Sequence, residues 1–224
     1  MFIRNFRQAG FTLVELLVVI AIGAIITTMS ISIYSKVLAS GSLTVATQMV
    51  TATLEQARQT AVTRNAYVEV RIYELPLSTD DPGTGPLSVY RAFQTFLVTN
   101  TGYTPLSKVL FLPTPLVIQC TPDLSHSTLL DSALDSSLNL KTFSSLAFAG
   151  PPVVAAPSLP TYGNNYAAIT FRFTPKGSLT LDASRQWYLT VYSPRDKIVS
   201  NSLPANYATI QIDAYTGKSA YFRP

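Results

Sequence analysis

The sequence predicts an α+β chain in which a long N-terminal hydrophobic helix packs on an antiparallel β-sheet head. Three patterns carry that expectation. Residues 11–33 form a single apolar run. Leu43, Ala46, Val50, Leu54, Ala57 and Ala61 then recur at spacings of three and four, as one face of a helix does. Beyond residue 66, short segments alternate apolar and polar side chains with the period of two that a strand gives.

The first ten residues, MFIRNFRQAG, hold two arginines and no acid. Residues 11–33 follow, with 16 of 23 apolar and only Glu15 charged. At ~1.5 Å per residue that helix is about long enough to cross a ~30 Å hydrocarbon core. Arg4 and Arg7 precede it, and no basic residue follows until Lys36. The positive-inside rule then sets the N-terminus in the cytoplasm and the bulk of the chain outside it.

A cleavable secretory signal has an apolar region of ~7–15 residues and a small-residue cleavage site. This run is longer, and Glu15 interrupts its start. An ordinary uncut anchor is a second reading. A third rests on Gly10-Phe11-Thr12-Leu13-Val14-Glu15, which resembles the prepilin signature of type IV pilin-like proteins: a basic leader ending in Gly, then Phe, then an acid four residues on, then an unbroken hydrophobic helix. The resemblance implies cleavage between Gly10 and Phe11 by a prepilin peptidase and N-methylation of Phe11. It also implies that Glu15 meets the cationic amine of Phe11 on a neighbouring subunit and so sets register during filament assembly. The residues suit this. Gly10 has no side chain to obstruct a tight protease site, and an acid in a membrane helix costs ~2.5–3.5 kcal/mol at the bilayer centre and less near the end, so it signals function. Many pilins carry a helix-kinking proline where this chain has Ser32, and no proline occurs before Pro76.

The helix is expected to continue as an amphipathic segment over 34–65, stopping at Arg64-Asn65, with the stripe from Leu43 to Ala61 as core. The shape implied is a lollipop, its outer helix half embedded in the head. Tyr67–Tyr73 alternates like a half-buried strand. Residues 54–73, LEQARQTAVTRNAYVEVRIY, resemble the helix-to-strand junction of GspH/FimT-type minor pseudopilins through Ala57, Arg58, Ala61, Arg64, Asn65 and Val68. Residues 76–165 hold 11 of the 15 prolines. Within them Arg91–Val98 and Leu116–Cys120 suggest strands, and Leu129–Leu140 a short helix. Asp80, Asp81, Asp131 and Asp135 match no calcium-loop spacing and read as turn and cap acids. Ala168–Phe173, Trp187–Tyr192, Thr209–Ile212 and Ser219–Phe222 read as an antiparallel meander with two hairpin-like returns. The segments GNNYAAITFRFTPKGSLTL and QWYLTVYS and the ending TIQIDAYTGKSAYFRP resemble protein D of the Verru/Chthon cassette, a set of pilin-like proteins encoded together.

The expected organisation is a leader at 1–10, a transmembrane part at 11–33, its continuation at 34–65 and a β-rich head at 66–224. The function implied is that of a minor pilin or pseudopilin, processed and built into a type IV pilus-like or type II secretion-like filament. Its partners would be the peptidase, other pilin-like subunits and the inner membrane, with the head periplasmic or in an extracytoplasmic filament. A second hypothesis makes the head a filament-tip module for DNA or a surface polymer. It rests on Lys218 and Arg223, on Arg195 and Lys197, and on Tyr215, Tyr221 and Phe222 between them. Net charge is +4, and +2 without Arg4 and Arg7 (14 basic against 12 acidic), so bulk charge does not call for nucleic acid. An enzyme is not expected. One histidine, His126, and one cysteine, Cys120, leave little from which to build a zinc site or a Ser-His-Asp triad, and a single cysteine forms no intrachain disulfide. No cofactor and no metal are expected.

Overall fold

In the computed structural model the described residues are 12–76, 88–118, 127–131, 140–142, 159, 163, 166–194 and 203–224, with backbone only at 28–39, 76, 88 and 140–142. The junction Gly10-Phe11 lies outside them, as do Asp80, Asp81, Cys120, His126, Asp135, Arg195 and Lys197. The chain divides into two compact units, Met1–Gly41 and Ser42–Pro224.

Helix α1 runs over Leu13–Arg64. Over residues 12–27 its side chains are exposed all round, from Leu13 at 81% to Val18 at 47%. Among the described residues no helix is long and apolar enough to cross a membrane. Side chains of the apolar run are described only over 12–27, and 16 residues rise about 24 Å, short of a ~30 Å core.

In the second unit, the same helix ends on Asn65. With φ of 47°, Asn65 takes the left-handed conformation that Asn tolerates and most residues avoid. Its N–H donates to the Val62 carbonyl (3.2 Å), and the Ala66 N–H donates to that of Ala61 (3.1 Å). Those are the two closing bonds of a Schellman motif.

The head is an antiparallel sheet built from β1 (Val68–Pro76), β2 (Ser88–Thr99), β3 (Gly102–Pro105), β4 (Leu110–Phe111), β5 (Val117–Ile118), β6 (Leu140–Thr142), β7 (Ala167–Phe173), β8 (Trp187–Tyr192), β9 (Tyr207–Ile212) and β10 (Ser219–Phe222). The order is β10-β9-β8-β5-β2-β1-β7-β6, with β3 and β4 also on β2. The molecule is thus α+β, a helix with a large antiparallel sheet. One core cluster joins Leu43, Ala46, Val50, Leu54, Ala57 and Ala61 to Val68, Val70, Ile72, Phe171, Trp187 and Ile210, among others.

Three local expectations need correction. β1 is not half-buried: Val68 to Tyr73 are all buried, because both faces of this central strand are covered. Val68, Val70 and Ile72 enter the core cluster with the helix stripe, whereas Tyr73 and Leu75 join a second cluster with Ala92, Leu159, Tyr166 and Ala168. The C-terminal strands are only partly a meander. β8, β9 and β10 pair in sequence, but β7 pairs with β1 and β6. After β7 the chain returns only as far as the bridge Phe173↔Leu179, and Leu179 and Leu181 then turn into the core. Finally, Leu129–Leu140 is not one helix. A 3-10 turn covers Thr128–Leu130, Asp131 is extended and Leu140 opens β6.

The second face of β1 carries buried charge. Glu69 accepts from the Arg71 Nε (2.9 Å) and from the Arg172 Nε (3.0 Å), one arginine on each carboxylate oxygen. The Arg71 guanidinium lies over the Phe96 ring at 4.0 Å, and Arg172 also donates to the Tyr103 hydroxyl (2.9 Å). Tyr73 donates to Gln94 Oε1 (2.7 Å), and Gln94 donates to the Ser107 carbonyl (3.0 Å). Burial, its main cause, raises the Tyr73 phenol far above the usual range and keeps it a donor.

Candidate functional site

A helix start leaves its first backbone N–H groups without partners. Here Thr12 and Glu15 answer that need as a pair. The Glu15 N–H donates to Thr12 Oγ1 (3.3 Å), and the Glu15 carboxylate reaches back to accept from the Thr12 N–H (2.8 Å). This is a capping box, Thr at the N-cap and Glu three residues on. A further bond tightens it: the Thr12 hydroxyl itself donates to the carboxylate at 2.8 Å. Both donors converge on Oε2. Among the described residues Oε1 accepts no hydrogen bond. The first regular helical bond, from the Leu16 N–H to the Thr12 carbonyl (3.2 Å), sets the frame.

Glu15 therefore stands at the start of an apolar helix whose described side chains cover no core of their own unit. The prepilin signature assigns Thr12 no role. The pattern Thr-x-x-Glu ahead of an apolar run was the signal that would have found it.

Tyr215, Lys218, Tyr221, Phe222 and Arg223 lie in and after the β9–β10 turn. Asp213 builds that turn, accepting from the Tyr215 N–H (2.9 Å) and the Thr216 hydroxyl (2.6 Å). These bonds, the Thr216 hydroxyl first, hold its carboxyl below the usual range. Tyr215 projects at 79% exposure, and Tyr221 and Phe222 on β10 are about half-exposed. Arg223 is committed locally, donating to Thr44 Oγ1 (2.7 Å) and Asn206 Oδ1 (3.2 Å). Lys218 lies close enough to Glu55 to act on it, after the larger pull of the Arg58 hydrogen bond that depresses that carboxyl. The structure thus gathers Lys218 and the aromatic residues on neighbouring stretches, while one of the two C-terminal cations is occupied. Among the described residues no group of three His, Cys, Asp or Glu side chains is placed to hold a metal ion.

An apolar helix with an acid in its first turn, and an antiparallel sheet following in the chain, are compatible with a pilin-like α+β fold. Residues 5–31 match the family model described as the prokaryotic N-terminal methylation motif. The chain therefore carries a type IV pilin-like prepilin signal. The match spans 27 of 224 residues and speaks for the N-terminal segment alone. No curated protein and no solved structure matches the chain.

Proposed function

We propose that this chain is a minor pilin or pseudopilin, a structural subunit without an enzymatic role. In this reading a prepilin peptidase cuts between Gly10 and Phe11, and Phe11 is N-methylated. Residues 11–33 anchor the subunit in the inner membrane, 34–65 continue the helix, and 66–224 form a head outside the cytoplasm. Other pilin-like subunits are the partners, and Glu15 takes the Phe11 amine of a neighbour as its counter-ion.

The observation that carries the reading is the methylation motif over 5–31, with Glu15 inside it. The exposure of Leu13 to Ile26 adds support. An apolar helix with no covered face needs lipid or other helices around it. The kinship with GspH/FimT-type subunits and cassette protein D rests on the junction at 54–73 and the C-terminal blocks, and refines this reading.

The test is mass spectrometry of the N-terminus in cells with an active prepilin peptidase. The expected mature chain begins at Phe11 with one added methyl group; a chain still carrying Met1–Gly10 would overturn the proposal. A Glu15→Ala variant should be cleaved yet fail to enter filaments, and undiminished incorporation would remove the role given to this acid.

The exposed rings of Tyr215, Tyr221 and Phe222 beside Lys218 favour a second reading, in which the head also binds DNA or a surface polymer. Retention of residues 41–224 on single-stranded DNA that falls steeply with salt is its expected signature. Absent or salt-independent retention would dismiss DNA as the ligand.

A further inference from the structure

The three bonds between Thr12 and Glu15 do more than cap a helix. The hydroxyl is nearer to the carboxylate it donates to, at 2.8 Å, than to the backbone N–H it accepts from, at 3.3 Å. With the Thr12 N–H, also at 2.8 Å, it pins Oε2 over the first turn and leaves Oε1 without a hydrogen bond among the described residues. A glutamate has three side-chain torsions, and freezing them ahead of an encounter lowers the entropy lost on pairing. An ionised carboxylate in an apolar surround also needs donors if it is to stay ionised. Two donors on one oxygen meet that need and keep the other oxygen for a cation.

We infer that Thr12 is a positioning residue for Glu15, holding its carboxylate turned back over the helix start with one oxygen presented to a neighbouring subunit's N-terminal ammonium group. The inference rests on the assembly role proposed for Glu15 and adds a second residue to it.

The experiment compares full-length Thr12→Ser, Thr12→Val, Thr12→Asp and Glu15→Ala chains in the native cell. It reads the amount of each in the sheared filament fraction, divided by the amount cleaved at Gly10-Phe11, so that a processing defect cancels. Ser keeps both the donor and the acceptor and should assemble within about twofold of the unaltered chain. Val keeps the shape and loses both, and its incorporation should fall about tenfold, the range of one hydrogen bond to a charged group. Asp caps a helix as well as Thr does but donates nothing to a carboxylate, and should fall likewise. Normal assembly of the Val or Asp chain, or failure of the Ser chain to the level of Val, overturns the inference. Loss with Glu15→Ala but not with Thr12→Val removes only Thr12, whereas normal assembly of Glu15→Ala removes the role of the acid and this inference with it.

Discussion

Glu69 shows how much one residue decides in the head. Its two oxygens each accept from an arginine, and Arg71 is buried with it. A buried pair contributes little net stability when intact, but losing one partner leaves a charge stranded. Glu69→Gln should therefore cost about 3–5 kcal/mol, read from urea unfolding of residues 41–224. Asp213 presents the opposite case, an exposed acid whose partners are turn donors. Its carboxyl is depressed in the folded state, so its contribution is present above the unfolded value near pH ~4 and is lost as pH falls through the folded one. Amide exchange at Tyr215 and Gly217 should accelerate as pH drops below about 4, relative to the intrinsic rate, and Asp213→Asn should abolish that acid-linked change. Thr12 belongs at this scale too: its N–H and its hydroxyl both donate to the carboxylate three residues on.

Among the elements, the turns after β7 and β9 depend on two glycines. Gly177 has φ of 85° and Gly217 of 67°, where a side chain is strained. A Cβ on Gly217 would also collide with the Gly177 carbonyl oxygen, which is backbone and cannot step aside. A Cβ on Gly177 would meet Val62 Cγ2 at 3.1 Å, the end of a side chain. Gly217→Ala should thus cost about 2–4 kcal/mol and Gly177→Ala about 1–2 kcal/mol, compared by thermal unfolding. Equal costs would mean that strain alone matters. The helix end is built more simply. Asn65 closes α1, and the next residues enter β1 without a long connection because the Schellman bonds reverse the chain within two residues.

At the scale of the molecule, the second unit has a core of its own. Trp187 is fully buried in it and donates to the Asp182 carbonyl at 2.8 Å. Residues 41–224 alone should fold cooperatively, with blue-shifted tryptophan emission that moves to the red in one transition on denaturation. Emission already red-shifted in buffer would show that the head needs its anchor. How legible was all this? The stripe from Leu43 to Ala61 stood out because helical period is local, and its members are buried in the core cluster. The strands β7 to β10 stood out because alternation is local as well. The double-sided burial of β1 was not legible, since Glu69 and Arg71 look solvent-facing until Arg172, 103 residues away, supplies the second pairing. Placement of β7 beside β1 was hidden for the same reason: a strand's pattern names its faces, not its neighbours.

By itself the sequence determined the prepilin-type start, the apolar helix and its amphipathic second half. Each is a short-range pattern of side-chain type and spacing. Only the tertiary structure decided which strands lie side by side, that two arginines share one buried glutamate, and that Thr12 donates to Glu15. Those outcomes depend on distances between atoms, in the strands across long stretches of chain. The same limit applies to the opening junction. Spacing marks Gly10-Phe11 and Glu15, and atomic geometry shows how the acid is held.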